Sequence, residues 1–143
     1  KGDALESKRY TLNILPSPAI IDFSVEVEVP AYTGETNMVL ENIGDLTIPE
    51  GSKVIWKFNT IDSDSMFFRF DDTIVAVLNE FDNNGFTLTK SFKHSSHYTI
   101  SVLNEFLRKD DIVNYYVNVV PDLYPAVNIL SRKIPSTRLS FIF

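Results

Sequence analysis

A chain of 143 residues with no cysteine cannot carry a disulfide scaffold, a cysteine-based zinc site or thiol catalysis. Its 13 basic and 19 acidic side chains leave a net charge of −6, and the basic residues fall singly or in pairs, as at Lys8-Arg9 and Arg132-Lys133. Neither pair makes a stripe that could follow a phosphate backbone, so nucleic acid is not an expected partner.

The dominant pattern is alternation with period two, the mark of a strand with one buried face. Residues 10–16, Tyr-Thr-Leu-Asn-Ile-Leu-Pro, read as an amphipathic strand closed by proline. In the run 22–29, Phe23, Val25, Val27 and Val29 point one way while Ser24, Glu26 and Glu28 point the other. A one-residue slip would bury both glutamates, so the register is well specified. Val54, Trp56 and Phe58 form the next apolar set, followed by Met66, Phe68 and Phe70. A short run assigns Ile74, Ala76 and Leu78 to one face. Phe86 and Leu88, then Tyr98, Ile100 and Val102, then Val113, Tyr115, Val117 and Val119 continue the pattern, and Leu139, Phe141 and Phe143 end it.

Turn chemistry falls between these runs. Pro49-Glu50-Gly51-Ser52 turns the chain into the Trp56 strand, and Asp82-Asn83-Asn84-Gly85 is a hairpin signal because Asn-Gly supplies positive φ angles. Asp110-Asp111 and Pro121-Asp122 mark further corners. Residues 36–42 and 102–108 could each form a short helical turn, but no stretch carries a sustained apolar stripe at helical spacing. Short strands with turn signals about every 8–12 residues predict an all-β sandwich.

An internal echo refines this. Residues 115–121, Tyr-Tyr-Val-Asn-Val-Val-Pro, match residues 10–16 in their Tyr, Asn and Pro and in the kind of their apolar positions. Both then pass a second proline, Pro18 or Pro125, into Ala-Ile or Ala-Val. The offset from 10 to 115 is 105 residues, about the length of one immunoglobulin-like domain. The chain therefore divides into residues 1–18, the tail of a preceding repeat, residues 19–121, an immunoglobulin-like β-sandwich, and residues 122–143, the start of a following repeat. Chance similarity between two amphipathic strands is the alternative, and residues 122–143 could also belong to the same sandwich. No apolar run nears the roughly 18 residues that span a bilayer as a helix. The opening Lys1-Gly2-Asp3 has no initiator Met, so the chain reads as part of a longer polypeptide.

Three segments carry a family resemblance: Val29-Pro30-Ala31-Tyr32-Thr33-Gly34, then Asn42-Ile43-Gly44-Asp45-Leu46-Thr47-Ile48-Pro49-Glu50-Gly51-Ser52, then Pro121-Asp122-Leu123-Tyr124-Pro125. Over roughly residues 10–127 the chain resembles repeats of large, uncharacterised, membrane-anchored envelope proteins of Bacteroides-like bacteria. The resemblance implies immunoglobulin-like repeats behind N-terminal membrane helices and a periplasmic or cell-surface location. It implies no activity. Read physically, Gly44 and Gly51 occupy turns that need permissive backbone, and Pro30, Pro49 and Pro121 begin or end strands. Tyr98 fits either a tyrosine corner, its hydroxyl bonded to upstream backbone, or a plain core aromatic.

Candidate chemistry is sparse. His94 and His97, in His-Ser-Ser-His, would face opposite sides of a strand and lack further ligands nearby, so they read as exposed loop residues. No nucleophile elbow accompanies the Ser and Asp residues. Asp71-Asp72 and Asp110-Asp111 read as turns rather than paired catalytic carboxylates. Asp62 and Asp64, in Asp-Ser-Asp-Ser, offer the alternating oxygens that calcium favours, without a complete loop. Tyr32, Phe67, Tyr116 and Tyr124 are the candidates for a carbohydrate-stacking surface. Residues 137–143 are apolar and either complete a sheet or dock onto a neighbour. The reading is a non-enzymatic structural or protein-interaction module without catalytic residues or cofactors. Neighbouring repeats or envelope components are its partners, and membrane contact comes only through the parent chain. The alternative is a carbohydrate- or calcium-binding sandwich.

Overall fold

The structure, a computed structural model, describes residues 2–77, 79–81 and 85–123. The turn residues 82–84, Leu78, Tyr124, Pro125 and the apolar stretch 137–143 lie outside them. So does nearly all of the expected following repeat.

Ten strands are formed: β1 (Ala19–Glu28), β2 (Met38–Glu41), β3 (Leu46–Pro49), β4 (Lys53–Ile61), β5 (Ser65–Phe70), β6 (Thr73–Val77), β7 (Asn79–Phe81), β8 (Gly85–Ser91), β9 (Ser96–Leu103) and β10 (Arg108–Val120). They make two five-stranded sheets, β2-β1-β4-β8-β7 and β3-β10-β9-β5-β6. The protein is an all-β sandwich. If β1, β4, β8 and β7 are lettered A, B, E and D, and β5, β9 and β10 are lettered C, F and G, the strand order matches the immunoglobulin-like pair of ABED and CFG sheets. β2 extends the first sheet, and β3 and β6 extend the second. Among the described residues the only helical turn is a 3-10 turn at Ala31–Thr33. Residues 36–42 instead contain β2, and residues 102–108 contain the β9–β10 hairpin loop, because neither segment has an apolar stripe to bury as a helix.

Every second side chain is hidden along β4 and along β1 from Phe23 onward. Phe23, Val25 and Val27 of β1 meet Val54, Trp56 and Phe58 of β4 within the first sheet. They pack on Met66, Phe68, Phe70, Tyr98, Ile100, Val102, Val117 and Val119 of the second. Each such side chain contributes roughly 1.5–3 kcal/mol through removal from water. Trp56 is enclosed by Phe68, Phe70, Phe92 and Tyr98, with ring centroids 5.6, 6.0, 5.9 and 5.5 Å away. The polar faces look outward. Glu28 pairs with Lys53 at 2.9 Å, directly opposite it in the ladder, and Glu26 with Lys57 at 3.3 Å on the diagonal. Such exposed pairs contribute at most about 1 kcal/mol each.

Three expectations need correction. The β6 run has the opposite phase: Val77 is buried and Val75 packs on the core, while Ile74 is 60% exposed and Ala76 also faces solvent. The two-residue turn Asp71-Asp72 places Val75 opposite Phe68 and Val77 opposite Met66. Directly opposed residues share a face, so the hairpin overrides the apolar count. Asp110-Asp111 is not a corner. Both lie within β10, between Lys109 and Val113, where the register with β9 shifts. That irregularity lets the chain absorb extra residues without leaving the sheet. Gly44 has no positive φ among the backbone angles. It is buried, and a Cβ there would overlap the ring of Tyr115. It is a close-packing glycine, whereas Gly51, with φ of +83°, does serve its turn.

Tyr98 is a core aromatic, fully buried. Its hydroxyl donates to the Gly44 carbonyl at 2.7 Å and accepts from Trp56 Nε1 at 3.3 Å. The acceptor lies 54 residues upstream, so the bond joins distant segments and does not form a local tyrosine corner.

Gly44→Ala should cost about 1–3 kcal/mol by overpacking against Tyr115. Adding Tyr115→Leu should recover part of it in a double-mutant cycle read by urea unfolding. The Tyr98 phenol has its pKa raised by burial above the ordinary value of 10.0. Tyr115 is shifted the same way, by burial and then by the nearby Asp45 carboxylate. A raised folded-state pKa gives stability that is complete below the unfolded value and lost as pH climbs past it. Unfolding free energy should therefore fall above about pH 10. Tyr98→Phe should flatten that fall while lowering stability at neutral pH by about 1–3 kcal/mol through the orphaned Gly44 carbonyl.

Candidate functional site

The strands β1, β4 and β10 run the length of the sandwich and define two poles. Ala19 pairs with Ile61 and Glu28 with Lys53, so β1 leaves the pole where the chain enters and arrives at the other. β10 runs from its pairing of Arg108 with Leu103 to that of Val120 with Pro49, and delivers the chain to the second pole. These are the entry pole and the exit pole.

At the entry pole, Asn104 of the β9–β10 loop is the organising side chain, and it is buried. Its Oδ1 accepts the N–H groups of Phe106 (2.9 Å) and Leu107 (2.8 Å), closing the turn. Its Nδ2 donates to the carbonyls of Asp62 (2.9 Å) and Pro16 (3.0 Å). Asparagine is suited to this because its amide has donor and acceptor sides. A depression of about 250 Å³ lies between Pro16, the 62–64 loop and residues 104–106. Asp64 Oδ2 accepts the N–H of Glu105 at 3.1 Å.

At the exit pole parts of the motif segments converge, Pro30–Gly34, Pro49–Ser52 and Pro121-Asp122. The Pro30–Gly34 turn lies over Pro49–Ser52, where the Tyr32 hydroxyl donates to the Glu50 carbonyl at 2.6 Å. Glu50 N–H reaches the Val120 carbonyl (2.9 Å), and Gly51 N–H reaches the Phe92 carbonyl (2.8 Å). Ser52 donates to Pro49 through both its N–H (3.2 Å) and its hydroxyl (2.7 Å). An open groove of about 420 Å³ runs between Tyr32, Glu35, Thr47, Pro49, Val120 and Pro121.

Among the described residues the candidate stacking side chains Tyr32, Phe67 and Tyr116 do not gather, and Tyr124 lies outside them. Tyr32 stands at the exit pole, 60% exposed. Phe67 is half-buried on the outward face of β5 opposite Ser101, and Tyr116 lies on β10 opposite His97. Ser101 and His97 are separated by roughly 13 Å along β9, at about 3.3 Å per residue. The Tyr116 ring packs against His97, tilted by 43° with centroids 4.5 Å apart. His97 is thus an exposed strand residue, while His94 is exposed in the preceding loop. The Asp71 carboxylate accepts the Ser96 hydroxyl (2.7 Å) and the His97 N–H (3.2 Å), and these bonds hold its pKa below the ordinary range. Asp62 and Asp64 share the entry pole. Among the described residues no three His, Asp or Glu side chains cluster as metal ligands.

No family model, curated protein or solved structure matches the chain. The function must be argued from the poles themselves. Their anchors, Asn104 and Pro16, escaped the sequence reading. The only trace of them was the Pro16-Ser17-Pro18 junction, since nothing in Leu103-Asn104-Glu105 announces a contact with a residue 88 positions away.

Asn104→Ala should orphan the amide partners and lower stability by about 1–3 kcal/mol. It should also release Pro16, seen as faster limited proteolysis around Ser17.

Proposed function

We propose that this protein is a non-catalytic structural and interaction module, one immunoglobulin-like unit of a tandem array in a bacterial envelope protein, held at the periplasmic or outer surface by other parts of its parent chain. The observation that carries the reading is residues 10–14. They have the apolar alternation of β10 and match its sequence, yet they form no strand here. Tyr10, Leu12 and Ile14 are 87%, 82% and 84% exposed. A strand pattern bathed in water is what the last strand of a preceding unit looks like when its own sheet is missing. The family resemblance, carried by the motif segments that meet at the exit pole, supports the same reading.

The arrangement also suits a spacer: the chain enters at one pole and leaves at the other, so successive units extend rather than stack side by side. The alternative, a ligand-binding sandwich, has one feature in its favour, the exposed Tyr32 ring at the rim of the exit groove. A glycan array would separate the two, since saccharide capture abolished by Tyr32→Ala favours the alternative.

Deleting residues 2–14 should leave the thermal midpoint within about 2 °C, the effect of a change below about 0.5 kcal/mol in a domain of this size. A loss larger than about 8 °C would place the segment in this unit's own core.

A further inference from the structure

The tandem reading can be carried to the contact between units. At the 105-residue offset of the echo, Pro16 and Pro121 are equivalent positions. Pro121 lines the exit groove of the sandwich it ends. Pro16 lines the entry depression of the sandwich it precedes, its carbonyl held by Asn104 Nδ2 at 3.0 Å. One residue thus belongs to the exit pole of one unit and the entry pole of the next. Only Ser17 and Pro18 then separate it from the first strand at Ala19. A three-residue junction spans at most roughly 11 Å, too little to hold two such poles apart.

Resting on that reading, we propose that the exit groove is a docking surface whose occupant is the entry pole of a following copy of this fold, with the 104–107 loop seated against Tyr32 and Val120. The apolar complement is present on both sides. Tyr32 and Val120 are 60% and 49% exposed at the exit pole, and Phe106 and Leu107 are 50% and 38% exposed at the entry pole. The charged residues lining the two depressions are acidic, Glu35 and Asp122 at the exit and Asp62, Asp64 and Glu105 at the entry, while Arg108 and Lys109 follow the 104–107 loop. Those carboxylates repel at low ionic strength and are screened beyond about 8 Å at physiological salt. The joint is therefore an apolar contact between two acid-lined depressions.

The test is the full chain with residues 16–120 duplicated in place, residues 1–15 kept before the first copy and 121–143 after the second, so that Val120 of the first unit runs directly into Pro16 of the second. The natural chain has no cysteine, so Glu35→Cys in the first unit and Glu105→Cys in the second, which line the two depressions but are not among the apolar contacts, give a unique thiol pair. A short bis-maleimide at about 0.15 M salt should join them at least about tenfold faster than a control pair, Ile21→Cys of the first unit with Glu105→Cys of the second. That control thiol sits at the far pole of the first unit. Equal rates in a chain whose tryptophan fluorescence shows two folded units overturn the docking and leave the tandem reading standing. A second unit that fails to fold behind the Val120-Pro16 junction overturns both.

Discussion

The sandwich depends on one buried polar relay. Trp56 Nε1 of the first sheet donates to the Tyr98 hydroxyl of the second, and that hydroxyl donates to the Gly44 carbonyl in the connection between them. Each group sits where water cannot replace a lost partner, so the relay is satisfied as a unit or costs the fold as a unit. It also fixes where the chain changes sheets. β2 lies at the edge of the first sheet and β3 at the edge of the second. The four residues between them are held from both sides. Asn42 exchanges bonds with the Phe23 backbone through its N–H (2.8 Å) and Oδ1 (3.0 Å), and Asp45 Oδ1 accepts the N–H of Tyr116 at 2.8 Å. Gly44 must be glycine because the Tyr115 ring closes over it.

From that crossover follows the layout of the poles. Once β3 is placed beside β10, the Pro49–Ser52 turn must land next to the end of β10, and Glu50 N–H finds the Val120 carbonyl. The Pro30–Gly34 turn is then drawn over it by Tyr32. The exit groove is thus a by-product of how the chain passes between sheets, built almost wholly from backbone partners and short turns. The entry pole is built differently, around a single amide side chain that joins two loops and the incoming segment.

The parts of this design legible in the sequence are those written in period two. Phe23, Val25, Val27, Trp56, Phe58, Tyr98 and Ile100 declare their burial because each alternates with polar neighbours over a long strand. Ile74 misleads because β6 is short and apolar on both faces, and only the two-residue Asp71-Asp72 turn decides which face turns inward. Asp110-Asp111 resembles a turn in composition, yet a long strand with a register shift carries it through. Gly44 could not be told from a turn glycine, because the ring that excludes a side chain there comes from Tyr115, more than seventy residues away. The poles were legible only in part. The three motif segments announced turns and strand ends, and only the fold brings Pro30–Gly34, Pro49–Ser52 and Pro121-Asp122 to one end of the molecule. The Asn104 amide, which organises the other end, depends on loops brought together by folding. Tyr32, Phe67 and Tyr116 stand apart because alternation says which side chains face out, not where along the sheet they stand.

The parallel pairing of β3 with β10 gives the unit a mechanical character. Val117 to Val120 lie beside Leu46 to Pro49, four matched positions, with the strands aligned along the axis between the poles. Tension applied where the chain leaves acts along β10 and across its hydrogen bonds to β3, while tension at the entry acts along β1 in the other sheet. The ladder is loaded in shear, all its bonds at once, rather than peeled from one end. Its resistance to being drawn out is set by the rate of rupture, the quantity that governs forced unfolding, and not by its equilibrium stability.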